Sequence, residues 1–401
     1  MIFKYAIRNV MRNRRRSIGA MFAIFTGVVI VLFTQGLMDG MLIDLTDNYI
    51  KFQTGNFRFT TPDYGKRERF LPVDQLISDT PLLIDRLQSI PGIILVEKRV
   101  RFGLLMGQGE NTVPAMGIGL DFKNTSLDIK AKITQGGIPV NGMVIGSGLA
   151  ARIGCKTGDE ILIATNTAEG GLNGIKVGVS GIFKYGITMF DNEVFFLDLA
   201  SASRLLKLGE DFPEILVYAR NPKAAERMES EIRTLNKEGL LIKNFSEQVG
   251  GYWSVILASM KILYIFEFII LVLASFVIFN TMMQTIFERL EEIGTLKALG
   301  MTDNAILWNF TVEGAVMGLL GGGIGGVAGH LMNIFLSKHA LSFEKAMESV
   351  EMPMSYSFRN EPNVPFTVIA VIAAAVISGV AASIPALYAK KLSSAEALKK
   401  V

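Results

Sequence analysis

Cysteine and histidine are nearly absent from this chain. Its 401 residues include one cysteine, Cys155, and two histidines, His330 and His339. A single cysteine excludes an intrachain disulfide and a cysteine-clustered zinc site, so we interpret Cys155 as a small buried apolar side chain. The two histidines are too few and too isolated to indicate a metal site. We therefore expect the chain to bind no metal and no cofactor of its own.

Charge is scarce as well. Charged residues make up 19% of the chain and the formal net charge is +3, whereas half of the residues are hydrophobic. So small a net charge gives no basic field that would indicate binding to nucleic acid. The composition is too apolar for an ordinary soluble protein and too charged for a purely helical membrane bundle, which predicts a mixed architecture.

Four segments are long and apolar enough to cross a bilayer, since about 20 helical residues span its hydrocarbon core. They are residues 17–40, 255–284, 305–336 and 366–388. The more than two hundred residues between the first and second segments contain no comparable run. We predict an α-helical membrane domain of four transmembrane helices plus a large α+β extracytoplasmic domain.

Basic residues near the spans predict the orientation. No acidic residue precedes the first span, whereas Asp39 lies at its end and Asp44 and Asp47 follow it. The basic residues before the first span are Lys4, Arg8, Arg12, Arg14, Arg15 and Arg16, and those after the last are Lys390, Lys391, Lys399 and Lys400. We predict a multi-pass membrane protein with both termini cytoplasmic, in which residues 1–16 form a basic amphipathic helix and residues 389–401 a tail.

Two parts of the external region follow one local plan. The stretches "TPLLIDRLQSIPGIILVEKRV" (80–100) and "PKAAERMESEIRTLNKEGLLIKNF" (222–245) each predict a helix, a break and a strand. This favours one α+β subdomain built from residues 41–110 and 209–250. Short strands and glycine turns in residues 111–208 predict an inserted β-rich subdomain, and residues 337–365 a short extracytoplasmic loop.

The chain contains no phosphate-binding G-x-x-x-x-G-K-[ST] motif. Its most glycine-rich run, "GLLGGGIGGVAG" (318–329), lacks the lysine and lies within an apolar span. Gly318, Gly322 and Gly326 recur there at four-residue spacing, which predicts close helix packing. Because no nucleophile–base or metal constellation is present either, we predict that the chain is not an enzyme and lacks an ATPase site of its own.

A short charged helix is predicted between the second and third spans, within residues 285–304. In "ERLEEIGTLKALG" (288–300), Ile286, Leu290, Ile293 and Leu296 lie near one helical face and charged residues occupy the others. Arg289 and Glu292 are spaced as an i,i+3 ion pair. The spacing leaves two readings open, a docking helix for a partner or a solvated turn.

The segments "ERLEEIGTLKALGMTDNAI", "EGAVMGLLGGGIGG" and "IPALYAKKLSSAEALKK" together resemble the FtsX/MacB/LolC-LolE superfamily of ABC transporter permeases. The opening "AIRNVMRNRRRS" and the run "GIFKYGITMFDNEVFFLDLASASRLL" are similar to its lipoprotein-release branch. The resemblance extends across essentially the whole chain, and E-I-G-x-L-K-A-L-G is its most specific element. Members have one span, a large extracytoplasmic domain and three further spans, the order predicted above.

The resemblance implies a mechanical role. An ABC-type ATPase subunit docks under such a permease, and the short helix after the second span transmits nucleotide-driven closure to the external domain. MacB-type exporters carry the ATPase on the same chain, but only about sixteen residues precede the first span here, so ATP and Mg²⁺ are expected on a separate partner subunit. The positions assigned to ATPase coupling are Glu288, Arg289, Glu291, Glu292, Ile293, Gly294, Leu296, Lys297, Leu299 and Gly300, the last as a helix C-cap.

The lipoprotein-release branch implies a lipid-anchored cargo. Flexible and aromatic apolar side chains adapt to acyl chains, and an intramembrane carboxylate such as Glu267 usually faces protein or water. The candidate substrate-cavity residues are Phe33, Leu37, Met38, Met41, Phe266, Glu267, Ile269, Ile270 and Leu273. The alternative is that these side chains merely face membrane lipid. Glu313, a second intramembrane carboxylate, is expected to pair with Arg289 or Lys297 or to snorkel.

Two classes of function remain open. The first is the permease subunit of an ABC transporter that extracts lipoproteins from the inner membrane for a periplasmic carrier, together with a second permease copy or a related permease. The second is an FtsX-like non-transporting regulator of a cell-wall hydrolase, and a MacB-like mechanotransmitting exporter is a further alternative. The two-part external domain favours transport, because an FtsX-like regulator usually has a smaller one.

Overall fold

The structure, a computed structural model of the full chain, describes residues 14–108, 111–139, 142–234, 239–342 and 357–391. The chain divides into two compact units. The membrane unit comprises Met1–Leu42, Val255–Leu341 and Phe358–Val401, and the α+β unit comprises Ile43–Ser254 and Ser342–Ser357. Most of the predicted amphipathic helix, the middle of the predicted loop 337–365 and most of the predicted tail lie outside the described residues.

Four helices in the described part of the chain are long and apolar enough to cross a membrane. They are α1 (Arg14–Tyr49), α10 (Gly251–Glu288), α12 (Asp303–Lys338) and α13 (Val364–Lys391). Each contains one predicted span and extends beyond it at both ends, because the apolar run marks only the part suited to lipid while backbone hydrogen bonding continues. α1 continues directly into a π-helix, Ile50–Thr54.

Glycines allow α12 to pack closely on two sides. Toward α13, a Cβ atom at Gly318 would lie 2.6 Å from the Cβ of Ser378, and toward α1, one at Gly321 would lie 2.5 Å from the carbonyl oxygen of Met21. Such spacing admits no side chain, so the helix backbones are in direct contact. The row toward α13 is Gly314, Gly318, Gly322 and Gly326, and the row toward α1 is Gly321, Gly325 and Gly329.

The α+β unit is built on a ten-stranded sheet, whose strand order is β10-β1-β9-β2-β3-β8-β5-β7-β4, with β6 paired to β2 and β7. Its strands are β1 (Phe57–Thr60), β2 (Ile93–Gln108), β3 (Asn111–Leu120), β4 (Ile133–Gly136), β5 (Met143–Gly146), β6 (Glu160–Asn166), β7 (Leu172–Phe183), β8 (Val194–Asp198), β9 (Glu214–Ala219) and β10 (Leu241–Asn244). A separate two-stranded sheet joins β11 (Leu341–Ser342) and β12 (Ser357–Phe358).

Short helices cover this sheet. They are α2 (Pro62–Arg67), α3 (Thr80–Gln88), α4 (Ile129–Lys132), α5 (Ser147–Ile153), α6 (Thr188–Glu193), α7 (Leu199–Leu206), α8 (Pro222–Thr234) and α9 (Phe245–Val249). As the sequence predicts, α3 is followed by β2 and α8 by β10. In both cases a glycine with positive φ, Gly92 or Gly239, lies in the break before the strand, a conformation that favours glycine.

The long strand β2 joins two parts of the sheet, one containing β10, β1 and β9 and the other containing β3 to β8. β2 pairs with β9 as far as Arg99, opposite Glu214, and pairs with β3 from Val100 onward, opposite Gly119. The predicted start of the β-rich insertion, residue 111, therefore falls in the β2–β3 hairpin, and the second half of β2 contributes Phe102 to the same core as β5–β7. The division into two subdomains stays a prediction.

A buried ionic cluster joins β1, β2 and β9. The carboxylate of Glu214, which is fully buried, accepts hydrogen bonds from Nε and Nη2 of Arg101, both at 2.9 Å, and from the hydroxyl of Tyr64. Arg58 lies 3.7 Å from the same carboxylate. Burial alone would raise the pKa of Glu214, but the charges of Arg101 and Arg58, together with the hydrogen bonds, lower that pKa below its ordinary value.

Candidate functional site

The predicted coupling segment is a separate helix, α11 (Leu290–Ala298). α10 ends at Glu288, and Arg289 forms the break between the two helices, with φ −105° and ψ 15°. At the other end Gly300 has φ +93°, and the amide of Met301 donates to the carbonyl of Leu296 at 3.0 Å. This left-handed glycine ends α11 and lets the chain turn into α12.

One face of α11 packs inward. Leu290 and Ile293 are 8% and 3% exposed and belong to a buried cluster with Ile286, Ile306 and Phe310. Gly294 is also buried on this face, and Leu296 is half-buried. The apolar face therefore packs against α10 and α12 within the membrane unit, so α11 is not a freely solvated turn.

Arg289, at the break between α10 and α11, lies close to two carboxylates. Its Nη1 lies 3.7 Å from Oε2 of Glu313 in α12, and its Nε lies 3.7 Å from Oε2 of Glu292. Of the two partners expected for Glu313, the structure places Arg289 beside it. Glu288, one residue earlier, forms an ion pair with Arg16 of α1.

Lys297 is engaged within the chain rather than presented to solvent. Its Nζ lies 2.9 Å from Oδ1 of Asp303 and donates to the carbonyl of Lys390 in α13 at 2.8 Å, and its side chain is only 9% exposed. The sequence placed Lys297 with the charges that a partner could use. Helix periodicity alone could not show that α13 ends beside it.

The exposed side of α11 is small and mixed in character. Glu291 is exposed, and the side chain of Glu292 is 40% exposed. Leu299, directly after the last turn, is 80% exposed. The exposed side of α11 thus carries two carboxylates and, directly after its last turn, one large apolar side chain.

The predicted cavity residues differ in their exposure. On α10, Phe266, Ile269 and Leu273 are 59%, 44% and 59% exposed, whereas Glu267 is 4% exposed and Ile270 is partly buried. A helix turns about 100° per residue, so Glu267 points away from Phe266. On α1 the side chains of Phe33, Leu37, Met38 and Met41 are all partly buried. The assignment of these side chains to one substrate cavity stays a prediction.

An apolar groove of about 390 Å³ lies on another face of the membrane unit, between α10 and α13. It was not predicted, because each helix is apolar on all sides and periodicity gives no direction in such a helix. Its lining residues are Phe268, Val272, Ser275, Phe276, Phe279, Val376, Ile377, Val380, Ala381 and Ile384. Ser275 donates its hydroxyl to the carbonyl of Leu271 at 2.9 Å and so presents no free donor to the groove.

A buried amide cluster at the opposite end of the membrane unit from α11 was also missed. Asn333 donates to the carbonyl of Leu32 at 2.7 Å, and Asn360 donates to Oδ1 of Asn333 at 2.9 Å. The carboxylate of Asp39 accepts from Gln35 at 2.8 Å and from Asn363 at 3.3 Å. The cluster joins α1, α12 and the chain before α13.

Among the described residues, no group of three or more histidine, cysteine or acidic side chains could hold a metal ion.

Comparison with known families assigns this arrangement to a class of membrane permease. Residues 264–394 match the FtsX-like permease C-terminal family, and residues 17–235 match the MacB-like periplasmic core domain. The class is thus an ABC transporter permease with a large periplasmic domain. The chain belongs to the FtsX/MacB/LolC-LolE superfamily.

Individual relatives are distant. The chain is 22% identical over 211 residues to the lipoprotein-releasing system transmembrane protein LolC of Neisseria meningitidis serogroup B, covering 51% of each chain, so it spans about half of that relative. It is 20% identical over 308 residues to LolC of Xylella fastidiosa, covering 73% of this chain and 74% of the relative. The periplasmic region of MacB from Actinobacillus actinomycetemcomitans aligns with 49% of this chain and 92% of its own, at 16% identity and a TM-score of 0.35.

Proposed function

We propose that the chain is the permease subunit of an ABC complex that extracts lipoproteins from the inner membrane and delivers them to a periplasmic carrier. A separate ATPase subunit, carrying ATP and Mg²⁺, hydrolyses the nucleotide and docks on α11. A second permease copy or a related permease completes the membrane part. In this arrangement both termini lie in the cytoplasm. The lipoprotein cargo is suggested by the names of the LolC relatives.

The observation that carries the proposal is that α11 and its flanking residues are tied to each of the other membrane helices. Glu288 pairs with Arg16 of α1, Arg289 with Glu313 of α12, and Lys297 with the carbonyl of Lys390 in α13. A push on α11 therefore reaches all of these helices at once. A solvated connecting turn would need none of these contacts.

Co-purification tests the first half of the proposal. The full chain, solubilised with its native partners, should retain an ABC-type ATPase subunit and should show no ATP hydrolysis when it is purified alone. Hydrolysis by the single chain, or its isolation without any ATPase partner, would contradict the proposal.

Photo-crosslinking tests the second half. A crosslinking residue at Leu37 or Phe266, the positions expected from the sequence, should capture triacylated lipoprotein in the nucleotide-free complex and lose it when ATP is added. A third probe at Phe276 asks whether acyl chains use the groove between α10 and α13 instead. Capture of bulk phospholipid alone at all three positions would exclude lipoprotein cargo.

A MacB-like exporter is the second candidate, and the match of residues 17–235 to the MacB-like periplasmic core favours it. The two functions differ in their cargo. If the ATPase co-purifies and α11 is required, but no lipoprotein is captured and a soluble compound is exported in an ATP-dependent way, the exporter is the correct assignment.

A further inference from the structure

The continuation of α1 is bonded by side chains inside the α+β unit. The carbonyl oxygen of Lys51, in the π-helix Ile50–Thr54, accepts from Nη1 and Nη2 of Arg99, both at 3.2 Å, from the hydroxyl of Tyr218 at 3.3 Å and from the hydroxyl of Ser126 at 3.2 Å. The carbonyl of Phe52 accepts from Nη1 of Arg99 at 2.8 Å. The last carbonyls of a helix lack intrahelical partners, and here Arg99 supplies partners for those of Lys51 and Phe52.

Arg99 is itself held in place. It is fully buried, and its Nε and Nη2 donate to Oε1 of Glu97 at 2.9 and 2.6 Å. The other carboxylate oxygen of Glu97 accepts from the amide of Ser126 at 3.1 Å. Because a guanidinium group is planar and offers a rigid fork of donors, it can bond the carboxylate on one side and the two carbonyls on the other.

Arg99 lies at the point in the sheet where β2 changes its pairing partner. Arg99 is the last residue of β2 opposite β9, and the next residue, Val100, begins the pairing with β3. On the other side of the π-helix, the ring of Phe52 lies 4.2 Å from that of Phe190 and 4.8 Å from that of Tyr185. The end of α1 therefore contacts both parts of the sheet at the point where β2 changes partners.

We propose that Arg99 is a positioning residue that fixes the end of α1 to β2, so that a movement of α1 displaces both parts of the sheet together. This proposal rests on the proposed function. It identifies the bonds through which movement of α1 would be passed to the external domain. α1 also belongs to the membrane unit, where Arg16 pairs with Glu288 beside the coupling helix. The route runs from α11 through Glu288 and Arg16 along α1 to the bonds of Arg99.

The test uses the full chain and a matched pair of variants. Arg99→Lys keeps the charge but replaces the planar fork of five donors with a compact ammonium group of three, which cannot reproduce all the bonds of Arg99. Arg101→Lys is the control, because Arg101 lies two residues away on β2, is also buried and bonds Glu214, but has no bond to residues 50–54. Tyr218→Phe is a milder variant that removes one donor to Lys51 if Arg99→Lys folds poorly.

Two measurements are made on these variants. In the purified chain, Arg99→Lys should speed hydrogen exchange of the amides at 50–55 by about tenfold, the effect of losing roughly 1.4 kcal/mol of local protection, and Arg101→Lys should not. In the complex with the ATPase, Arg99→Lys should retain ATP hydrolysis within about twofold but release about tenfold less cargo per ATP, and Tyr218→Phe should show a smaller loss of the same kind.

The outcomes separate this proposal from the proposed function. Equal exchange at 50–55 in Arg99→Lys and Arg101→Lys would show that Arg99 does not anchor α1, and equal coupling in the two variants would show that the anchor transmits nothing; either result overturns the inference. If the wild-type chain couples to no ATPase, the proposed function fails and the role of Arg99 in transmission fails with it. The exchange result still decides whether Arg99 fixes α1.

Discussion

Arg289 and Glu313 form an ion pair between the start of α11 and α12, with Nη1 and Oε2 3.7 Å apart. Arg289 is 8% exposed and Glu313 is 3% exposed, so water screens the pair weakly. A buried charge that loses its partner is costly, because it has been removed from water without compensation. The pair therefore fixes the break at Arg289 against a membrane helix.

Replacing Glu313 with glutamine should destabilise the chain, since the guanidinium group would keep its charge and lose its buried counterion. We expect a loss of about 3 kcal/mol in the free energy of unfolding. Thermal unfolding of the purified chain in detergent measures it. Glu288→Gln, at an ion pair whose side chains are 44% and 51% exposed, is the control and should cost less than about 1 kcal/mol. Equal losses would mean that the buried pair has no special role.

The close contact of α12 with α1 gives a steric prediction. A Cβ at Gly325 would lie 2.8 Å from the carbonyl oxygen of Phe25, whereas a Cβ at Gly323 meets no atom within 4 Å. Gly325→Leu should therefore lower stability by about 1–3 kcal/mol through forced helix separation. Gly323→Leu adds the same volume on the open side and should leave the melting temperature nearly unchanged. A similar fall for both would indicate that the close contact with α1 does not cause the loss, because leucine favours a helix more than glycine does.

The exposed Leu299 gives a prediction about docking. Leu299→Asp should preserve the fold, because the side chain is 80% exposed, but should weaken capture of the ATPase by about tenfold or more through loss of an apolar anchor. Pull-down of the ATPase by tagged permease measures the effect. Leu172→Asp, at a position in the α+β unit that is 77% exposed, is the matched control. Undiminished capture by the Leu299 variant would move the docking surface elsewhere.

The same pull-down assay distinguishes the roles of two charged residues of α11, Glu292 and Lys297. Reversing Glu292, whose side chain is 40% exposed, should weaken capture without unfolding, because interface charges set specificity and association rate. Reversing Lys297 should instead lower the melting temperature, since its amino group bonds Asp303 and the carbonyl of Lys390 inside the chain. A Lys297→Glu chain that melts normally but fails to bind the ATPase would reverse this assignment.

Glu214 gives a prediction about pH. Its pKa in the folded chain lies below the ordinary value of 4.5, so its carboxylate stabilises the fold above that pH. The stabilisation is lost as the pH falls through the lowered pKa, because protonation then opposes the native state. Glu214→Gln should reduce stability at neutral pH and flatten the decline below about pH 4.5. Unfolding of the full chain, followed by circular dichroism across this range, tests it, with the exposed Glu169→Gln as control.

The apolar composition of four segments was enough to predict the four long helices of the membrane unit. The four apolar segments each lie in a long helix, and the helix–strand plan of residues 80–100 matches α3 and β2. The change of partner along β2 after Arg99 was not predicted, because strand periodicity continues unbroken through that point. Strand pairing over long distances is a tertiary property that local patterns do not contain.

The sites were predicted unevenly for a similar reason. Charge and periodicity located α11 and the Arg289–Glu292 spacing, because the helix has a polar and an apolar face. The cavity residues were chosen from apolar runs in which every face looks alike, so Glu267 and Phe266 were grouped although they point in different directions. Arg99 carried no sequence signal, since an arginine in a strand normally lies at the surface.

Both glycine rows of α12 are already in contact with other helices of the same chain, α1 and α13. Its remaining open glycine, Gly323, has nothing within 4 Å of an added Cβ, and Leu319 and Val327, 45% and 64% exposed, lie about one turn to either side. No small-residue track is left on the outer side of α12 to admit a foreign backbone. If the proposed second permease meets α12, it would therefore contact bulky side chains rather than backbone, and the shapes of those side chains could distinguish one partner from another.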